Sequence, residues 1–409
     1  MIASAIAGFD PLDPETVPNP PGSVRVQDGM RKLGIAFLLL VAAVVVAGCG
    51  GAGGAETESS GSGLEVSPAG WETDFSEHSV PLSEFRSGGP PRDGIPPIDD
   101  PKPVSIGEAG EFLGGEEPVL VVEQGGDARA YPLQILVWHE IVNDELGGRP
   151  IGVTYCPLCN SSVVFDRRVE GRELTFGTTG NLRKSDLVMW DRLTESWWQQ
   201  FSAEAVVGEL TGEQLEVLPS QTLSFAAFKR RFPDGDVLSR DTGNPRDYGS
   251  NPYAGYDQPD SEPFLLEGEP DGSLPPKERV AAVLAGEDTV VVPFSRLRRE
   301  PVVNERSGDR PVVFLFQRGV KSVLDATAVA DSRDVGAAAV FGRRVGGRTL
   351  TFERAPDGDV VDRETGSSWD LTGRARSGPL RGERLPRVRS DVQFWFGLAA
   401  FVPDARIAR

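Results

Sequence analysis

Short apolar runs alternate with breaks rich in Gly, Pro, Asn and Asp along most of the chain. That pattern predicts many short strands joined by turns, with few helices. Residues 118–131 (PVLVVEQGGDARAY) read as a hairpin around Gly125 and Gly126, and residues 133–137 as a short helical turn. Residues 139–144 and 150–155 read as a second hairpin, folded back at the ELGG turn of residues 145–148. That fold places His139 opposite Thr154, near Cys156. Further strands are predicted over 162–167 and 173–176, around Glu170 and Gly171, and over 186–191, 196–201 and 205–217. Residues 224–232 read as a helix. Residues 239–260 (SRDTGNPRDYGSNPYAGYDQPD) are too polar and too long for a core element and read as a loop, of a length that is functional or disordered.

The second half of the pattern resembles the first. AYPLQIL at 130–136 matches VVPFSRL at 291–297, and IVNDELGGRPIGVTY at 141–155 matches VVNERSGDRPVVFLF at 302–316. Three more matches follow in order: 165–176 with 341–352, 191–198 with 362–369, and 208–215 with 378–385. The expectation is a mainly β protein with a few short helices, built as two tandem, internally duplicated β-rich repeats at 104–238 and 276–409, joined by a loop at 239–275. The length of 409 residues suits two such units.

The N-terminus changes the picture. Met30, Arg31 and Lys32 precede an apolar run at 33–46, and Val46-Ala47-Gly48-Cys49 closes it. This is the layout of a lipoprotein signal over 30–49, with Cys49 as the lipidated residue. Residues 1–29 read as an over-extended start, and residues 50–103 as a linker, flexible and Gly/Ser-rich at first and then Pro-rich. The expected setting is the extracytoplasmic face of the cell membrane, held by lipid. A net charge of −19 argues against nucleic acid as a partner.

With Cys49 assigned to lipid, Cys156 and Cys159 are the two remaining cysteines, in the run CPLC. His139 is one of two histidines. Two thiolates and an imidazole suit copper or zinc. A thiol redox pair and two inert buried thiols are the other readings, and the strand-like residues after Cys159 do not favour a helix-start redox motif. Export implies an oxidising or metal-exposed compartment, with a redox or metal-delivery partner. A non-enzymatic surface module with a structural CxxC disulfide is the alternative reading. A further one is an enzyme using carboxylates around Asp186 and Asp241.

The runs WHEIVND (138–144) and TYCPLCNS (154–161), SDLVM (185–189), SRDTG (239–243), YGSNPY (248–253) and LPPKERV (274–280) together resemble domain-of-unknown-function family 3179. The resemblance covers most of the chain from about residue 100 onward. It implies an exported or membrane-associated protein and no settled activity. It also raises interest in 239–253 as a site loop, with Asp241, Arg246, Tyr248, Asn251 and Tyr253 as its candidate residues.

Overall fold

Two glycine pairs close the hairpins on which the first half is built. Gly125 and Gly126, at φ 64° and 99°, join β1 (Pro118–Gln124) to β2 (Asp127–Pro132). After the helix α1 (Leu133–His139), Gly147 and Gly148, at φ 56° and 75°, join β3 (Ile141–Leu146) to β4 (Arg149–Cys156). Residues without Cβ enter this region at little cost. The two tips also touch, since a Cβ on Gly125 would lie 2.7 Å from the Gly147 carbonyl oxygen.

The structure is a computed structural model that describes residues 66–284 and 288–408. The signal segment, Cys49 and the start of the spacer lie outside the described residues. Among the described residues no helix is long and apolar enough to cross a membrane. The fold is β-rich as expected, with 40% strand, 10% helix and five short helices among the described residues.

Strand β5 (Ser161–Asp166) follows β4 directly. Then come β6 (Phe176–Arg183), β7 (Asp186–Asp191), β8 (Trp197–Gln199) and β9 (Glu204–Val207), which form one antiparallel sheet with an edge strand at Phe85–Ser87. The sheet β3-β4-β5 is extended by β10 (Val217–Leu218). Strand β11 (Ser220–Ser224) leads into α2 (Phe225–Arg231), where the Ser224 hydroxyl accepts from the Ala227 N–H as an N-cap. Strand β12 (Asp236–Leu238) pairs parallel with β2 and antiparallel with Pro103–Ser105.

The second half has β13 (Arg279–Val283), β14 (Val290–Pro293), α3 (Phe294–Leu297), β15 (Val302–Ser307), β16 (Arg310–Gln317) and β17 (Ala337–Gly342). It ends with β18 (Ser390–Phe394), α4 (Trp395–Phe401) and β19 (Arg406–Ile407). Its sheet order β18-β13-β14-β19 has the same pairing senses as β11-β1-β2-β12. A side-chain detail also recurs. Asp191 accepts from Thr194 N–H at 2.7 Å and Trp198 Nε1–H at 2.9 Å, and Asp362 accepts from Thr365 N–H at 2.7 Å and Trp369 Nε1–H at 2.9 Å. The Asp191 carboxylate thus serves its own turn, and the adjacent Arg192 pairs with Asp93 and Asp99.

Val153, Val164, Phe165 and Trp198 share one continuous apolar cluster with Val323, Leu324, Phe394 and Phe396. The two halves therefore close on a common core, and the CPLC run lies in it.

Candidate functional site

Cys156 ends β4 and sits opposite Ser161, the first residue of β5. Pro157, Leu158, Cys159 and Asn160 make the connection, and Asn160 closes it at φ 53°. Proline presets the turn and asparagine tolerates the left-handed region, so this hairpin tip follows from its residue types. Both thiols are free and only 1% exposed. The Cys159 thiol donates to the Ser185 carbonyl oxygen at 3.2 Å. From the second half, the Phe394 N–H donates to the Cys159 carbonyl at 2.8 Å. A Cβ on Gly397 of α4 would lie 3.5 Å from the Cys159 sulfur.

The residue brought to the thiols is Asp186. It follows a two-residue turn in which Lys184 and Ser185 take φ 54° and 63°. Non-glycine residues are strained there, and such strain persists only where the surroundings hold it. Lys184 Nζ donates to the Ala400 carbonyl at 2.9 Å, and Ser185 Oγ to the Phe264 carbonyl at 2.5 Å. Asp186 is 1% exposed. Its Oδ2 accepts from Gln199 Nε2–H at 2.5 Å and from the Phe201 N–H at 3.1 Å, while its buried Oδ1 accepts no hydrogen bond of ordinary geometry. Donor atoms of Cys156, Cys159 and Asp186 lie within 4.8 Å of one another.

Burial shapes the acidity of this group. It pushes both thiols up and moves Asp186 up to about 6. Glu140, buried beside Asp186, is pushed up to about 8 by burial and by that neighbouring charge. Glu140 in turn repels negative charge on Cys156 and Tyr253. Its backbone is held at φ 58°, and its carbonyl accepts from the Tyr155 N–H at 2.8 Å. Asp391 of β18 is pushed up to about 7 by burial and accepts from Ser161 Oγ–H at 3.1 Å.

His139 is not brought to the thiols. It ends a helix and does not begin a strand, and Ile141 takes the place opposite Thr154. Nδ1 lies 2.7 Å from the Pro96 carbonyl oxygen, which only accepts, so Nδ1 carries the proton. Nε2 then accepts from the Tyr248 hydroxyl at 2.6 Å. Burial holds the imidazole down to about 4, hence neutral. Both nitrogens are committed, and among the described residues the grouping of donor atoms with metal-site spacing is Cys156, Cys159 and Asp186.

The 239–260 loop is less of a surface feature than its composition implies. Asp241 is exposed beside Lys102 at 3.0 Å, and the Arg246 guanidinium lies 5.8 Å from the Trp138 ring. Tyr248, Asn251, Tyr253 and Tyr256 are buried. Asn251 caps the turn, accepting from the Tyr253 N–H at 2.8 Å and donating to the Ala326 carbonyl at 3.0 Å. Lys277, buried and lowered to about 8, donates to the Tyr256 carbonyl at 3.0 Å and stands 3.5 Å over that ring. Burial raises the Tyr253 and Tyr256 phenols, and both lie near enough to the thiols for negative charge on Cys156 to raise them further. The loop's spacing in sequence gave no sign of this, and nothing local marked Asp186 or Gly397 as partners of the cysteines.

The family described as a protein of unknown function, DUF3179, matches residues 92–405, and the chain belongs to it. No curated protein and no solved structure matches the chain.

Proposed function

We propose that this protein holds a thiophilic divalent cation, zinc in first place, through Cys156, Cys159 and Asp186. The observation that carries the reading is the convergence of three buried donor groups within 4.8 Å, with the Asp186 carboxylate against the Cys159 thiol and one of its oxygens accepting no hydrogen bond of ordinary geometry. Buried polar atoms are rarely left unmatched, and a cation would satisfy this one. Glu140, buried and coupled by charge to Asp186 and Cys156, is the carboxylate that would supply a fourth ligand. A carboxylate in place of imidazole moves the preference from Cu(I) toward Zn(II). A cation would also draw protons off the two thiols, which burial otherwise keeps protonated.

Thiol exchange is the weaker reading. Redox-active pairs have an accessible thiol of lowered pKa, often at a helix start. Here both thiols are raised, are 1% exposed and lie on a hairpin tip. We further propose that the site works outside the cytoplasmic membrane, anchored at Cys49. The support is the basic start at 30–32, the apolar run at 33–46 and the cysteine that closes it.

Elemental analysis of the full chain, purified without chelator, tests the metal reading. About one zinc per chain in the wild type, lost in Asp186→Asn and Cys156→Ser, is expected. Wild-type protein without metal that also fails to take up added zinc would overturn it.

A further inference from the structure

A cavity of about 260 Å³ lies between the two halves; neither thiol lines it, although Tyr155 and Asn160, which flank the CPLC run, do. Its walls are largely aliphatic and aromatic, with Leu133 and Val163 from the first half and Phe294, Ala339 and Val340 from the second. Arg279, Lys321, Arg387 and Arg389 stand in the lining against one carboxylate, Asp391. The Arg387 guanidinium belongs to a cationic group that is unusual in a chain of net charge −19. Arg384 and Arg387 lie 2.9 and 3.0 Å from the Glu123 carboxylate, and Arg231 approaches it at 3.9 Å. Asp370 also acts on Arg231, as does Arg374, so two carboxylates face four guanidinium groups. The Arg231 Nη2 is buried and donates no hydrogen bond. Burial lowers Arg231 and Arg387, and neighbouring arginines add to the effect. An apolar chamber with a few convergent polar groups, between two packed units, is the usual form of a small-molecule site.

We propose that this cavity binds a small amphipathic anion, with its apolar body in the chamber and a carboxylate or similar head at Arg387. The excess positive charge is matched by the head. The walls exclude water from the tail and give affinity through apolar burial. The inference does not depend on a bound metal.

Calorimetric titration of the full chain with octanoate, acetate and octyltrimethylammonium tests it. Octanoate is expected to bind saturably, with acetate and octyltrimethylammonium at least tenfold weaker. Arg387→Gln, which alters a half-exposed side chain, is expected to weaken octanoate at least tenfold. Ala339→Leu, which fills the chamber, is expected to do the same. If the filled variant fails to fold, Arg387→Gln decides alone. Absence of saturable octanoate binding, equal binding of the cationic amphiphile, or unchanged affinity in folded Arg387→Gln would each overturn the proposal.

Discussion

The sulfur of Cys159 lies 3.2 Å from the carbonyl oxygen of Ser185, so the second thiol of the CPLC turn is registered against the residue that precedes Asp186. Two hairpin tips distant in sequence meet there. One is turned by Pro157 and Asn160, the other by Lys184 and Ser185 in strained left-handed backbone. The meeting brings the Asp186 carboxylate to the two thiols.

If Asp186 is a ligand, Asp186→Asn should weaken zinc at least tenfold in a chelator competition, because a neutral amide replaces the carboxylate. The variant keeps the side-chain shape, so its far-UV circular dichroism should match that of the wild type.

Tyr248→Phe separates the histidine from the metal reading. It removes the hydroxyl that donates to His139 Nε2 and leaves a buried acceptor unmatched. The expected cost is about 1–2 kcal/mol in denaturant unfolding, with zinc content unchanged. Loss of zinc in this variant would return His139 to the site.

CPLC and its hairpin were legible because the glycine pair at residues 147 and 148 and the proline and asparagine of the tip are explicit turn chemistry. The end of α1 was not. Leu133–His139 is buried on nearly every side, so no polar face reveals its period, and a short apolar run reads equally as strand. Asp186 was hidden for a different reason. The Lys184-Ser185 turn lacks the Asn or Gly that marks left-handed backbone, so the approach of Asp186 to Cys159 depends on tertiary contacts with Phe264 and Ala400. The 239–260 loop misled through composition, since its tyrosines bury their rings while its Gly, Pro and Asn suggest solvent.

Asp391 gives a pH dependence of known sign. Its carboxyl is pushed up to about 7, above the ordinary carboxylate range it has when unfolded. The folded state therefore holds a proton that the unfolded chain releases. The contribution is full below about pH 4 and is lost as pH rises through about 7. Denaturant midpoints measured from pH 4 to 8 should show Asp391→Asn losing less stability than the wild type over that span.

Asp191→Asn and Asp362→Asn should destabilise the fold by similar amounts, about 2–3 kcal/mol each, because each carboxylate accepts the same turn N–H and indole N–H. Neither should alter zinc content. Unequal costs by thermal or chemical unfolding would show that the two turns carry different loads.

The most direct test is metal content beside thiol titration on the full chain purified without chelator. About one zinc per chain, two thiols that react only after the metal is removed and the chain unfolded, and loss of the metal in Asp186→Asn are expected. A chain that binds no zinc while its thiols remain free would contradict the metal reading.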